Sequence, residues 1–323
     1  MEKNDDLFGN LDSTMSFLSD KKEQAKDGIY RVDLTKTEKG KPYRSVIRFL
    51  PNLKKDGTLG EAAIEKVAHY VDIKQLPELC GYYDSPKNPS IQKMNPGAKC
   101  PLTELYYSMQ NSKNAQLVEK SKMLKYSKKY FSYILVVDDA QQPHLNGKIL
   151  IFQYGKTIKD KITAEKNGEI SGESVNVFNL EAGKDFVLLV KQIDTGDEKY
   201  PDYKMSSFKP ERSSIMIPTS NGLKNVPLED GKIAEKLKGK VKEFLLDRDT
   251  ELEAYEPKPL TEEQQGKITQ IGAYLTGKTI ATFVQANNNK AESSDFDFGV
   301  DAAEPTSNKK PVQNVDDFDF DDL

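Results

Sequence analysis

Apolar positions along this chain fall into short runs, most with the period of a strand. From Gly28 the segments GIYRVDLTK and YRSVIRFLPN alternate, so that Arg44, Val46 and Arg48 share one face and Ser45, Ile47 and Phe49 the other. One face can enter a core while the other presents two guanidinium groups. The strongest strand signals are YFSYILVVDD, then, after a turn at 143–147, KILIFQYGK, and later FVLLVKQID. Between the first and second groups, Pro101 and Thr103 introduce LTELYYSMQNSKNAQLVEKSKMLKYS, a helical region with proline near its first turn. Residues 53–100 are rich in Lys, Gly, Pro and Asn and lack sustained periodicity, which predicts an irregular insertion. The stretch 228–283 reads as helical, with IAEKLKGKVKEFLLD and EEQQGKITQIGAYL separated by PKPL. No βαβ rhythm occurs. Short strands with one helix among them suit a mainly β chain with appended helices, built on a small barrel.

The two ends break this pattern. Residues 1–25 are polar and acidic, with Leu7, Phe8, Leu11, Met15, Phe17 and Leu18 spaced as in a short, weak amphipathic helix, and read as a mobile arm. Residues 285–323 have too few apolar side chains to fold and are expected to be disordered. Within them SDFDFG at 294–299 is echoed by DDFDFDD at 316–322. The predicted organisation is an arm at 1–25, a β core at 26–227 with an insertion at about 53–125, a helical extension at 228–284 and a tail at 285–323.

Composition sharpens the division. The chain has 323 residues, 37% hydrophobic and 30% charged, with no eighteen-residue apolar window and no basic leader with an apolar centre. That predicts a cytosolic protein with no membrane association. The net charge of −4 argues against a polyanionic partner, but it is a sum of unlike parts. Residues 285–323 carry three lysines against ten acids, a charge of −7, and residues 1–24 carry −3, which leaves 25–284 at +6. The body is basic and both ends are acidic.

The densest candidate chemistry is SKMLKYSKKYFSY at 121–133, which interleaves Lys122, Lys125, Lys128 and Lys129 with Tyr126, Tyr130, Phe131 and Tyr133. Cations beside flat rings suit a single strand of nucleic acid, whose phosphates need neutralising and whose unstacked bases need π surfaces. The competing reading makes the rings core residues at a strand start and the lysines a solvated helix end. A second cluster sets Tyr200, Tyr203 and Phe208 among Lys199, Lys204 and Lys209, in a segment expected to be a loop beside a strand. Arg44 and Arg48 on one strand, and Phe152, Tyr154 and Lys156 in the strand IFQYGK, add to the set. Catalysis finds little support: His69 and His144 stand apart from any nucleophile or paired-carboxylate signature, and there is no P-loop or GxGxxG. Cys80 and Cys100 are free thiols or metal ligands. In the tail, Asp316, Asp317, Asp319, Asp321 and Asp322 surround Phe318, Phe320 and Leu323. Such a segment can compete for the chain's own basic surface and dock apolar residues on partners, or simply solubilise.

The runs VIRFLP (46–51), ILVVDD followed by PHLNGK (134–148), YGKTIKDKI (154–162) and FVLLVKQI (186–193), in this order and ahead of an acidic tail, resemble the single-stranded DNA-binding, helix-destabilising proteins of T-even-type bacteriophages. The likeness is good over 43–51 and 130–214. It implies an OB-fold core, a five-stranded Greek-key barrel with a site for a single strand, and an amino-terminal arm for self-association along the DNA. It also implies a tail that contacts polymerase, primase or a helicase loader in DNA replication, recombination and repair, in the host cytoplasm if the chain is phage-encoded. Residue by residue, the resemblance assigns Arg48, Lys128 and Lys129 to phosphates and Tyr130, Phe131, Phe152, Tyr200 and Tyr203 to bases; Phe131 replaces the family's tryptophan, which weakens stacking. The family's structural zinc site would fall on His69, Cys80 and Cys100, with Thr103 where the last cysteine belongs, so the fourth ligand is missing. Either Glu104 or Asp84 completes a weaker site, or the metal has been lost; no cofactor is required for binding. The arm departs from the family's basic motif, so self-association would use Leu7, Phe8 and Leu11, be weaker, or be absent. An adaptor or RNA-binding protein acting mainly through its tail is the alternative reading.

Overall fold

A computed structural model describes residues 28–37, 41–170, 172–194 and 199–280. The arm expected at 1–25 and the acidic tail expected at 285–323 lie outside them. The chain is mainly β-sheet with several helices. Its elements are β1 (Ile29–Tyr30), β2 (Tyr43–Phe49), β3 (Ile64–Val71), β4 (Gly81–Asp84), α1 (Pro89–Met94), α2 (Pro101–Gln110), α3 (Ala115–Ser121), β5 (Tyr126–Asp139) and β6 (Ile149–Tyr154). They continue with α4 (Lys156–Asn167), β7 (Asp185–Asp194), β8 (Lys199–Asp202), β9 (Ser207–Phe208), β10 (Met216–Thr219), β11 (Gly222–Asn225), β12 (Leu228–Glu229), β13 (Lys232–Ile233), α5 (Glu235–Leu246) and α6 (Glu262–Thr276). Among the described residues they divide into two compact units, one holding 28–66 and 128–256, the other 67–127 and 257–280.

The first unit is built on a sheet in the order β1-β6-β5-β2-β7-β8, with β9 also paired to β7. The central pairs are antiparallel, and β1 joins β6 in parallel. The run FSYILVV is apolar without alternation because β5 is walled on both faces. Tyr130, Ile134 and Val136 point into one buried cluster with Ile47, Phe49, Phe152, Phe186 and Leu188. Phe131, Tyr133 and Leu135 point into another with Ile149, Ile151, Leu237, Val241 and Leu245. Those last three, spaced four apart, are the inward stripe of α5. The turn after β5 is held by Asp139, which accepts from the Gln141 and Gln142 amides at 3.1 and 3.0 Å. It closes at Gly147, whose φ of 83° only glycine adopts without strain.

In the second unit β3 and β4 form an antiparallel pair, with His69 opposite Tyr83 and Tyr70 opposite Tyr82. Val71 and Tyr83 face inward, onto Leu102, Leu105 and Met109 of α2 and Ile268, Ile271 and Leu275 of α6. Asn88 substitutes for a strand neighbour, since its side chain accepts from the Val67 amide at 2.5 Å and donates to the Val67 carbonyl at 2.7 Å. A capping box of Thr261 and Gln264 starts α6.

Several sequence expectations are corrected. The stretch 53–100 is not irregular, since β3, β4 and α1 lie in it. The helical region after Pro101 ends before Tyr126, which begins β5. Lys156 is the first residue of α4 rather than a strand residue, and Tyr200 and Phe208 lie in β8 and β9 rather than a loop. The stretch expected to be helical from 228 opens with the hairpin β12–β13, and its two helices fall in different units.

Candidate nucleic-acid interface

Most of the rings that the sequence offers for stacking are core side chains. Tyr130 stacks on Tyr154 at 5.7 Å between centroids, and Phe131 stacks on Tyr255 at 4.8 Å. Phe152 packs between Tyr30 and Phe49, and Phe208 lies 4.7 Å from Phe186. All five of these candidates, Tyr130, Phe131, Phe152, Tyr154 and Phe208, are buried, so none is a stacking platform in this structure. For the rings of β5 and β6 the reason is double cover, since Tyr130, Phe152 and Tyr154 meet one cluster and Phe131 the other.

Arg48 is corrected in the same way. It is 1% exposed, and its guanidinium cross-links loops distant in sequence. Nη1 lies 3.4 Å from Asp185 Oδ1 and 3.2 Å from Ser213 Oγ, while Nη2 donates to the carbonyls of Asn179 at 3.0 Å and Ser213 at 2.7 Å. A side chain at Gly183 would put its Cβ 2.6 Å from Nη2, so that glycine makes room for the cation. Burial lowers the Arg48 pKa, and Asp185 opposes the shift.

Further along β2 and β7, the same side of the sheet is open. Arg44 pairs across β2–β7 with Leu189, and across β7–β8 Lys191 pairs with Asp202 and Ile193 with Tyr200. Residues directly opposite in an antiparallel pair share a face, as do alternate residues along a strand. Arg44, Leu189, Lys191, Ile193 and Tyr200 therefore stand on one side, with Asp202 opposite Lys191 on the same side. Lys191 is exposed, and Leu189, Ile193 and Tyr200 are half-buried. The Arg44 side chain is 54% exposed, with only a loose contact to Asp138 at 3.6 Å. Cations thus flank a ring and two aliphatic side chains, a surface able to take phosphates and base faces together. Tyr203 is turned inward onto the cluster of Phe49 and Phe186, and burial pushes its phenol up to about 12. Lys128 is tied to Glu65 at 2.8 Å, Lys129 is half-buried, and Lys156 opens α4.

The second unit carries rings that sequence reasoning missed. Tyr70 and Tyr82 are 51% and 67% exposed and lie 4.8 Å apart, directly opposite across β3–β4. Tyr107 is also exposed, beside Tyr106. Of the predicted residues, Tyr126 is 44% exposed, with its ring edge-on to His69, and Lys125 is half-buried next to it. Large aromatic side chains held in contact with water are the informative exception to burial. The alternation in AHYVD and GYYD was the available signal, once both were taken as strands.

Of the candidate metal residues, His69 and Cys100 meet and Cys80 stands apart. Among the described residues no group of three His, Cys, Asp or Glu side chains could hold an ion. His69 Nδ1 faces the Leu124 carbonyl at 2.6 Å, and Nε2 faces Cys100 Sγ and Thr103 Oγ1, each at 3.2 Å. Cys80 is turned into its own loop, accepting from the Ile73 amide at 3.1 Å. Asp84 accepts from the Lys258 amide at 2.9 Å, and Glu104 is paired with Lys99, so neither supplies the missing ligand. This donor set does not fit a zinc ion, which wants four converging N, S or O ligands. Burial opposes ionisation of the Cys100 thiol, yet hydrogen bonding and charge from His69, with Ser85 and Thr103, bring it down to about 6. Among the described residues no helix is long and apolar enough to cross a membrane.

Comparison with known proteins gives a consistent set of relatives. The family described as gp32 DNA binding protein like matches residues 41–243. The chain is 32% identical over 167 residues to the single-stranded DNA-binding protein of Enterobacteria phage T4, an alignment covering 50% of each chain. It is 31% identical over 167 residues to the single-stranded DNA-binding protein of Enterobacteria phage T2, covering 50% of this chain and 49% of that one. The chain spans about half the length of these curated relatives.

Proposed function

Because the chain belongs to the gp32 DNA-binding-protein-like family, we propose that it binds single-stranded DNA without reading its sequence. The observation that carries the reading is the solvent-facing tyrosine pair Tyr70–Tyr82, supported in the other unit by the ring-and-cation face of Arg44, Lys191 and Tyr200. A base stacked on a ring contributes roughly 1–3 kcal/mol whatever its identity, and each phosphate neutralised by Lys or Arg releases a counterion. Binding the open strand but not the duplex draws hairpins apart by mass action. No chemical step is involved.

In the finer reading, the β2–β5–β6–β7 sheet is the OB-fold core, and copies coat and protect exposed strands during phage DNA replication, recombination and repair. Neighbouring copies associate along the strand through residues 1–25, and the acidic tail recruits polymerase, primase or helicase-loading proteins in the host cytoplasm. The tail's repeated Asp-Phe pattern favours recruitment as a second role beside binding.

Titration of the full chain with oligo-dT of increasing length, followed by tyrosine fluorescence at several salt concentrations, tests the proposal. Micromolar or tighter binding that strengthens with length and weakens with salt is expected. Removing residues 285–323 should tighten it at low salt by relieving competition. No binding at low salt, with or without the tail, would overturn the reading, and preference for oligo-U of equal length would move it to RNA.

A further inference from the structure

We infer that the unit of 67–127 and 257–280 is closed without a metal, by a hydrogen-bond cluster of His69, Cys100 and Thr103 standing where the family resemblance implies zinc. The inference is independent of what the chain binds.

The donor geometry carries it. The Leu124 carbonyl can only accept, so His69 Nδ1 holds the proton and is committed at 2.6 Å. Nε2 is left as the single metal-facing atom, and at 3.2 Å both Cys100 Sγ and Thr103 Oγ1 already crowd it. A tetrahedral zinc with ordinary Zn–N and Zn–S bonds holds its nitrogen and sulfur ligands about 3.6 Å apart. The observed separation is that of a direct hydrogen bond with nothing between. The third member expected from the sequence, Cys80, serves a different purpose. Its sulfur takes the Ile73 amide at 3.1 Å and lies near the Ile73 and Leu76 carbonyls at 3.4 and 3.7 Å, stitching the turn between β3 and β4.

The cluster does the tying that a structural ion would do. His69 is on β3, Cys100 and Thr103 are at the start of α2, and Leu124 precedes β5. Three segments far apart in sequence meet at one imidazole. All three side chains are buried, so each polar atom needs its partner, and Thr103 in place of a cysteine supplies a hydroxyl within hydrogen-bond distance of the imidazole. The surrounding apolar cluster, with Val71, Leu79, Leu102 and Leu124, supplies the cohesion that a metal gives to smaller folds. The exposed Tyr126 rests edge-on against His69 at 6.1 Å, so the cluster also positions a candidate base-stacking ring.

Metal analysis and thermal unfolding of the full chain test this, with Thr103→Val and Thr103→Ser as the paired variants. Purified protein should carry under about a tenth of an equivalent of zinc, and a strong chelator or added zinc should move the melting temperature by less than about 1 °C. Thr103→Val, which keeps shape but removes the hydroxyl, should lower the melting temperature by about 4 °C or more, and Thr103→Ser should restore most of it. Stoichiometric zinc whose removal lowers the melting temperature by several degrees would overturn the inference, as would a Thr103→Val protein melting like the parent. The metal measurements need no variant to fold, so they decide the question even if Thr103→Val is insoluble.

Discussion

In the unit of 28–66 and 128–256, the rings of β5 and β6 are packed away: Tyr130 lies against Tyr154, Phe131 against Tyr255 and Phe152 against Phe49. In the unit of 67–127 and 257–280, Tyr70 and Tyr82 lie against each other on the outer side of β3–β4, open to water. Both sets are strand aromatics in contact with another ring. What separates them is cover. β5 has a buried cluster on each face, so neither parity leads to solvent, whereas β3 and β4 bury the side of Val71 and Tyr83 and, on the other side, leave Tyr70 and Tyr82 uncovered although Ala68 beside them is buried. Aromatic content and neighbouring lysines are therefore poor guides to a stacking surface, and the number of covered faces is a good one.

Truncating a ring in the doubly covered sheet puts the greatest strain on this contrast. Phe131→Ala should cost about 3–5 kcal/mol, from lost transfer energy and the cavity left beside Tyr255, and lower the melting temperature by about 10 °C. Affinity for oligo-dT, measured where the variant is folded, should change less than about twofold. Thermal unfolding and fluorescence titration of the same samples check both. A large loss of affinity with unchanged melting would make Phe131 a binding residue and dissolve the contrast.

The two arginines of β2 repeat the lesson four residues apart. Arg48→Met should destabilise by roughly 3 kcal/mol, because it strips Asp185 of one cation and takes a donor from the Asn179 and Ser213 carbonyls, while the Gly183 amide still serves Asn179 and Lys209 lies 3.0 Å from Asp185. Arg44→Met should shift stability by less than about 0.5 kcal/mol, since its contact with Asp138 is exposed and loose. Urea midpoints of the two variants, compared directly, report the difference; similar midpoints would show that the guanidinium network around Arg48 adds nothing.

How much of this could be read from the chain follows the same division. The core strands were legible because VIRFL, YILVV, ILIF and FVLLV are apolar on both parities, and only buried strands are. Alternation correctly set Arg44 and Arg48 on one face, but it could not show that Asn179, Gly183 and Ser213, more than 130 residues away, close over one arginine and not the other. β3 escaped notice because IEKVAHYV puts a lysine and a histidine among its apolar residues, and that histidine faces a thiol and a hydroxyl instead of water. Tyr70 and Tyr82 sit twelve residues apart and become a pair only through the β3–β4 register. The family resemblance, by contrast, rested on the very runs that build the sheet, so it located the relatives before it could locate the site.

If the outer side of β3–β4 is a stacking surface, Tyr70→Ala and Tyr82→Ala should each weaken oligo-dT binding by about 1–3 kcal/mol, roughly 5- to 160-fold. Melting should move little, because exposed rings contribute mainly their mutual contact, about 0.5–1.5 kcal/mol. Tyr→Phe at either position should retain most of the affinity, since the π face and not the hydroxyl does the stacking. Loss of stability without loss of affinity would return these tyrosines to a purely structural role.

The smallest effect belongs to the open face of the other unit, and it separates charge from stacking. Lys191 stands exposed two positions from Ile193 and Leu189 on the face that also carries Arg44 and Tyr200. A lysine that neutralises one phosphate accounts for one released counterion, so Lys191→Ala should weaken binding a few-fold at low salt. It should also reduce the slope of log affinity against log salt by about 0.7, the single-strand value per contact. Tyr200→Leu on the same face should lower affinity at every salt concentration and leave that slope unchanged, because stacking releases no counterions. A salt series on the two variants reads both quantities at once. If Lys191→Ala lowers affinity with the slope intact, the lysine supports the fold of the face and the phosphates run elsewhere.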